Sequence, residues 1–242
     1  MTRRPALLPL AVLAVLLSPA AQAQNAPAPL APPPPAPAPV TPALVPAEPF
    51  AGEIEAFEAA DARKMPAKGG VLFIGSSSIR MWTDLARDFP HHRVINRGFG
   101  GSQIADSVRY ATRIAIPYAP RTIVFYAGDN DLEAGRTPQQ VLADFQRFAA
   151  LVHAALPKTR ILFVAIKPSI ARWRLVDKIR TANGLVRDYA RTDKRLGFVD
   201  IFPAMLGPDG LPRAELYRED GLHMTKAGYA IWRAKIAAAL AK

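Results

Sequence analysis

The sequence predicts an α/β fold in which a parallel sheet carries helices on both faces. Short apolar runs rich in β-branched and aromatic residues alternate five times with segments of helical periodicity. Each run ends in polar or glycine-rich residues, as parallel strands do at their carboxyl ends. The predicted strands are 71–74, 93–96, 122–126, 160–166 and 197–201. This pattern indicates a three-layer α/β/α sandwich with a five-stranded parallel sheet, flavodoxin-like in outline.

The predicted helices follow the same alternation. A packing helix at 52–64 precedes the first strand, and a long helix begins at Thr137-Pro138, where threonine caps the helix and proline occupies its first position. The other predicted helices are 79–89, 102–114, 173–191 and 225–240. The residues between the fourth strand and its helix, 167–173, either wall a substrate pocket or only lead into the helix.

The first 23 residues have the pattern of a secretory signal peptide. Arg3 and Arg4 precede a short apolar segment, and Ala21-Gln22-Ala23 is typical of a cleavage site. The apolar segment is too short to span a bilayer as a finished helix, so we expect cleavage and no stable membrane insertion, an uncleaved anchor being the alternative. The sequence therefore predicts a secreted protein, most simply in a bacterial periplasm, and leaves Sec or twin-arginine export open.

Residues 24–49 are rich in proline and alanine, which predicts an extended linker. The remaining residues, 50–242, are enough for one catalytic domain. The chain has no cysteine, so its fold cannot depend on disulfides. The net charge is +11, but the basic residues are scattered and form no run with interleaved aromatics. This distribution argues against a nucleic-acid partner.

Chemistry-bearing residues follow the predicted strands and the last loop. Serines stand at 76–78, glycines at 98–101, Gly-Asp-Asn-Asp at 128–131, and Asp220 and His223 precede the last helix. These groups are the parts of an acyl-transfer site. His223 can take the proton of a serine hydroxyl, and Asp220 can hold the other ring nitrogen. The serine N–H, a glycine N–H and the Asn130 amide can stabilise an oxyanion.

Taken singly, each motif has a plainer interpretation. The serines can turn the chain and cap a helix, and Asp220-x-x-His223 can be a cap beside a surface histidine. The glycine loop resembles a dinucleotide fingerprint, but Gln103 replaces its third glycine. The acidic loop at 129–131 lacks the spacing of an EF-hand, and Asp220 and His223 lack a third metal ligand nearby.

The four motifs together, in this order, resemble the SGNH hydrolases, also called GDSL-type esterases. The resemblance covers nearly all of 71–242 and is nearest to the branch that includes platelet-activating-factor acetylhydrolase-like and acetylesterase-like members. The matching blocks lie at 73–79, 96–102, 128–131 and 220–223.

The resemblance implies roles for particular residues. Ser77 matches the family nucleophile, and Asp220 and His223 match its acid–histidine pair. The oxyanion donors are the N–H groups of Ser77 and Gly101 and the side chain of Asn130. The family often has Asp at the position of the preceding residue, which is serine here, so the choice of Ser77 among its neighbours needs a test. No metal or cofactor is implied.

The sequence-based hypothesis is a secreted serine ester hydrolase that removes short acyl groups, most simply acetyl, from a small molecule or a carbohydrate. Two alternatives use the same fold. An acyltransferase would use the same residues with a sugar acceptor in place of water. A non-catalytic carbohydrate- or wall-binding module would need no Ser–His–Asp arrangement.

Overall fold

A five-stranded, all-parallel sheet forms the centre of the computed structural model, which describes residues 48–242. The strand order is β2-β1-β3-β4-β5, so the chain reverses its direction of travel across the sheet between β1 and β3. The strands are β1 (Val71–Gly75), β2 (Val94–Gly98), β3 (Thr122–Tyr126), β4 (Arg160–Val164) and β5 (Leu196–Val199). The predicted fold class is confirmed, and all five predicted strands are present.

Helices cover both faces of the sheet. The helices are α1 (Ala51–Arg63), α2 (Ser77–Arg80), α3 (Leu85–Asp88), α4 (Ile104–Ile114), α5 (Asp129–Glu133), α6 (Pro138–Ala155), α7 (Val176–Ala190) and α8 (Lys226–Leu240). One face packs against α1, α4, α6 and α7, and the other against α2, α3 and α8. No helix within residues 48–242 is long and apolar enough to cross a bilayer.

Strand β1 shows why the apolar runs do not alternate between apolar and polar residues. Leu72 and Ile74 point into the core beneath α4 and α6, whereas Val71 and Phe73 point into the core beneath α8. Successive side chains of a strand face opposite sides, so a strand covered on both sides must be apolar throughout. All five residues of β1 are buried.

The prediction of one helix over 79–89 is wrong. The chain instead forms two short helices, α2 and α3, separated by turns. The break lets Trp82 turn into the core, where its ring contacts Phe73 and Tyr229 and its indole N–H donates to Asp88. Burial of a large aromatic side chain outweighs the continuity of a local helical pattern. The short helix α5 after β3 was not predicted.

The predictions for residues 1–49 fall almost entirely before the first residue that the structure describes. The predicted signal peptide, 1–23, and all of the predicted linker except Glu48 and Pro49 lie outside the described residues. The residues that follow are held to α4: Arg109 forms an ion pair with Glu48 at 2.8 Å, and the Tyr110 hydroxyl donates to the carbonyl of Pro49. These contacts attach residues 48 and 49 to α4, and the predicted domain boundary at residue 50 stays a prediction.

Gly75 ends β1 in a conformation that other residues rarely adopt. Its φ is 136°, and a Cβ added there would lie 1.8 Å from the carbonyl oxygen of Tyr126 on β3. This close contact fixes the direction in which the chain leaves the sheet toward Ser77.

We expect Gly75→Ala to lower the free energy of unfolding by about 2–5 kcal/mol, because backbone strain and overpacking add. Gly184 lies within α7, and apart from the backbone of its own helix and its chain neighbours no atom lies within 4 Å of an added Cβ, so it supplies a matched control. Gly184→Ala is expected to raise the free energy of unfolding by about 0.5–1 kcal/mol, because alanine loses less entropy than glycine in a helix. Denaturant unfolding measures both. A Gly75→Ala protein as stable as the parent would contradict the close contact.

Candidate active site

Of the three serines after β1, the structure singles out Ser77. Ser76 is buried, and its hydroxyl has no hydrogen-bond partner among the described residues. Ser78 is also buried, and its hydroxyl accepts a hydrogen bond from Lys167. Ser77 is only partly buried and begins α2, where its N–H has no acceptor within the helix.

Ser77, His223 and Asp220 form one continuous hydrogen-bonded chain. The Ser77 Oγ lies 3.0 Å from Nε2 of His223, and Nδ1 of His223 lies 2.6 Å from Oδ2 of Asp220. A carboxylate accepts hydrogen bonds, so the histidine proton belongs on Nδ1 and Nε2 is left to accept from the serine hydroxyl. This is the tautomer that a general base for Ser77 requires.

The loop before α8 holds the acid and the histidine in this relation. Oδ1 of Asp220 accepts hydrogen bonds from the N–H groups of Leu222 and His223 at 2.9 and 2.8 Å. Gly221 has φ of 62°, which closes the turn between them. Burial raises the pKa of Asp220, but the hydrogen bonds from the His223 side chain and from the two N–H groups outweigh it and lower the pKa to about 2. Asp220 is therefore ionised at neutral pH.

Gly101 and Asn130 form a second group at the same edge of the sheet. A Cβ added to Gly101 would lie 3.8 Å from Nδ2 of Asn130, so the two residues are neighbours. Nδ2 of Asn130 donates to the carbonyl of Ser102 at 3.0 Å, and Oδ1 accepts from Arg172 at 2.8 Å. These partners fix which way the amide faces, and they leave one of the two Nδ2 hydrogens without an acceptor among residues 48–242.

The network beneath Asn130 was missed by the sequence analysis. Oδ2 of Asp129 lies 3.0 Å from the Lys167 ammonium and 3.2 Å from the Arg172 guanidinium. Burial raises the pKa of Asp129, but Lys167 and Arg172 outweigh it, and the pKa falls below its ordinary value. Burial lowers the pKa of Lys167, and the charge of Asp129 opposes that change. Residues 167–173 were predicted only as a wall or a connection, because no local pattern pairs them with residues about forty positions earlier.

The described part of the chain contains no candidate metal site. Within residues 48–242, no three His, Asp or Glu side chains come together as possible ligands of one ion. The acidic residues of 129–131 point to different partners instead: Asp129 to the two cations and Asp131 to the start of α4.

Asp131 binds the start of α4 and forms no hydrogen bond with Ser77 among the described residues. Its Oδ1 accepts from the N–H of Ile104 at 3.1 Å, and its Oδ2 is buried without a partner among the described residues. Burial raises the pKa of Asp131 to about 7, although the Ile104 N–H acts in the opposite direction. The folded protein therefore holds a proton on Asp131 at mildly acidic pH, where the unfolded chain has released it.

This difference predicts how stability changes with pH. Between the ordinary carboxyl pKa of 3.8 and about 7, the folded state binds more protons at Asp131 than the unfolded state does, so stability falls as pH rises. Asp131→Asn removes the titration and keeps an acceptor for Ile104. As pH rises from 5 to 8, we expect the free energy of unfolding of Asp131→Asn to increase relative to that of the parent, by at most about 1.4 kcal/mol per pH unit. Urea unfolding at several pH values measures the gain, with the exposed Asp177→Asn as baseline. A constant difference would exclude the proposed titration.

Comparisons with known proteins agree with this architecture. Residues 75–231 match the model of the GDSL-like lipase/acylhydrolase family. No curated protein matches the chain. The solved structure of a candidate platelet activating factor from Streptococcus pneumonia is similar with a TM-score of 0.70 and 22% identity, over 79% of this chain and 92% of that one.

Two further solved structures share the fold. A GDSL-like lipase from Bacteroides thetaiotaomicron has a TM-score of 0.66 and 22% identity, over 77% of this chain and 96% of its own. A carbohydrate esterase family 3 protein from Talaromyces cellulolyticus has a TM-score of 0.58 and 17% identity, over 71% and 96%. Because the family model spans more than half of the 242 residues, the chain belongs to the GDSL-like lipase/acylhydrolase family and is an ester hydrolase.

Proposed function

We propose that the protein is a serine esterase in which Ser77 is the nucleophile, His223 the general base and acid, and Asp220 the residue that orients His223. The observation that carries this proposal is the hydrogen-bonded chain Ser77–His223–Asp220, with distances of 3.0 and 2.6 Å. A serine hydroxyl is a weak nucleophile unless a base removes its proton, and Nε2 of His223 is within reach of that proton.

In the first half of the reaction, Oγ of Ser77 bonds to the carbonyl carbon of the ester and its proton passes to Nε2 of His223. The carbonyl oxygen becomes an oxyanion. When the tetrahedral intermediate collapses, the bond to the alcohol oxygen breaks and His223 gives the proton to that oxygen. In the second half, His223 takes a proton from water, whose oxygen bonds to the acyl carbon. The bond to Oγ of Ser77 then breaks, His223 returns the proton to Oγ, and the carboxylic acid leaves.

The oxyanion needs hydrogen-bond donors that are already in position. The N–H groups of Ser77 and Gly101 and the remaining Nδ2 hydrogen of Asn130 are the proposed donors. Arg172 supports the third, because a guanidinium can only donate and therefore holds Oδ1 of Asn130 toward itself. We assign Arg172 a positioning role on this ground.

The proposed substrate is a short-chain ester, most simply an acetyl ester of a small polar molecule or a carbohydrate. Three of the connections at the reactive edge are short, namely residue 76 after β1, residues 99–103 after β2 and residues 127–128 after β3, whereas those after β4 and β5 are longer, at 165–175 and 200–225. Charged side chains of Arg172 and Asp220 adjoin the proposed catalytic groups, so the surroundings suit a polar alcohol group better than a long acyl chain. The name of one similar structure, a carbohydrate esterase, agrees with this proposal.

We further propose export to a bacterial periplasm, on the strength of the signal pattern at residues 1–23. The mature protein would then meet sugar esters of the cell envelope or of the medium.

Ser77→Ala is expected to lower kcat for p-nitrophenyl acetate by about 10³-fold or more, because it removes the hydroxyl that is proposed to form the acyl-enzyme. Ser76→Ala is the matched control: it removes a neighbouring hydroxyl that has no hydrogen-bond partner within the described part of the chain, and its activity should stay within about twofold of the parent. Steady-state rates and mass spectrometry of a trapped acyl-enzyme measure both. A folded Ser77→Ala protein with full turnover would refute the assignment and favour a different nucleophile.

Acyl-chain length tests the substrate proposal separately. Across p-nitrophenyl acetate, butyrate, octanoate and palmitate, we expect kcat/KM to be highest for acetate and to fall at least about tenfold by octanoate. Methylene groups placed beside charged side chains gain little burial energy and add bulk to the bound ester. Rates are compared below the critical micelle concentration of each ester. A kcat/KM that climbs with chain length would replace the short-chain proposal with a lipase-type specificity.

A further inference from the structure

The first turn of α1 contacts the loop that carries Gly101. Oε2 of Glu53 accepts a hydrogen bond from the N–H of Gly100 at 2.8 Å, and Oε1 of Glu53 lies 3.4 Å from Nη1 of Arg80, at the end of α2. One carboxylate thus links the glycine loop to the short helix that begins at Ser77. Helix α1 precedes residues 75–231, the part of the chain that matches the family model.

The loop is also packed closely on both sides. A Cβ added to Gly98 would lie 2.1 Å from the backbone nitrogen of Arg80, and one added to Gly100 would lie 2.3 Å from the ring of Phe50. The ring of Phe50 packs edge-on against that of Phe99, with centroids 5.4 Å apart. Phe50 itself has φ of 64°, an uncommon value for a residue other than glycine, so the surrounding contacts hold it in place.

We propose that Glu53 is a positioning residue for the oxyanion hole. The two peptide planes on either side of Gly100 share its Cα. Glu53 holds the first plane through the N–H of Gly100, and the ring of Phe50 packed against Gly100 limits rotation into the second plane, which carries the N–H of Gly101. Catalysis by oriented dipoles depends on their direction before the reaction starts. This inference rests on the proposed function, because it assigns Gly101 an oxyanion donor that Glu53 holds in place.

A purely structural role for Glu53 would consist of attaching α1 to the domain, and other residues on α1 do that. Glu58 pairs with Arg113 of α4 through two hydrogen bonds of 2.7 Å each, and Ile54 is fully buried. Glu55 is exposed and forms no ion pair or side-chain hydrogen bond with any residue of 48–242. The same helix therefore offers one glutamate that contacts the glycine loop, one that attaches the helix, and one that contacts neither.

The experiment measures kcat and KM for p-nitrophenyl acetate, together with Tm, in variants of these three glutamates. Glu53→Ala should lower kcat about 10- to 100-fold with KM within about twofold, because a misplaced oxyanion donor affects the transition state more than the bound ester. Glu53→Gln should stay within about threefold of the parent, because its amide oxygen still accepts from Gly100. Glu53→Asp keeps the charge but is one methylene too short, so it should behave like Glu53→Ala and guards against misfolding of the alanine variant.

The two control variants should separate geometry from attachment. Glu58→Gln is expected to lower Tm and leave kcat within about twofold, and Glu55→Ala to change neither. The proposal is overturned if Glu53→Ala and Glu53→Asp retain the parent kcat, if Glu53→Gln falls as far as Glu53→Ala, or if Glu58→Gln lowers kcat equally. Failure of the proposed function would look different, because Ser77→Ala would then leave turnover unchanged in an otherwise active protein.

Discussion

The backbone contact between the ends of β1 and β3 determines where the reactive edge of this protein lies. The N–H of Ser76 donates to the carbonyl of Tyr126 at 2.9 Å, and Gly75 packs so closely on that carbonyl that no side chain fits. The chain therefore leaves the sheet in one direction only, and Ser77 becomes the first residue of α2. Since His223 comes from a loop 146 residues later, the hydrogen bond between them exists only when this exit direction is correct.

A buried ionic cluster lies beneath the other half of the site. Lys167 and Asp129 are almost completely buried, and taking two charges out of water costs free energy that their attraction only partly returns. Hydrogen bonds from Lys167 to Tyr126 and Ser78 offset part of that cost. The cluster joins the ends of β3 and β4 to α2, so it holds the elements around Asn130 and Ser77 in one arrangement. We interpret it as a determinant of site geometry more than of overall stability.

Much of the fold is predictable from the sequence for one physical reason. A strand covered by helices on both faces must be apolar throughout, so each of the five strands stands out as a short run, such as 122–126, which the structure reproduces as Thr122–Tyr126. Helix boundaries were less predictable where tertiary contacts determine where a helix ends. The pattern over 79–89 is helical, but burial of Trp82 against the second core divides it.

The groups proposed to react could be found from residue types and their order along the chain, because Ser77, Asn130 and His223 each follow a strand or precede a helix within a recognisable motif. The groups that hold them could not. Arg172 meets Asn130 across 42 residues, and Glu53 meets Gly100 across 47, and neither lies in a local pattern that differs from an ordinary helix or connection. Such pairs depend on how the helices pack on the sheet, and local patterns in a single sequence do not reveal that packing.

The charges of these supporting residues are arranged so that they orient the proposed donors while adding little field of their own. A lone carboxylate beside an oxyanion hole would oppose the developing negative charge, but Glu53 is paired with Arg80. A lone guanidinium would attract anions into the site, but Arg172 is paired with Asp129. What remains for the oxyanion is a set of fixed N–H dipoles. Their value depends on direction, and this explains why residues outside the reacting groups would affect kcat more than KM.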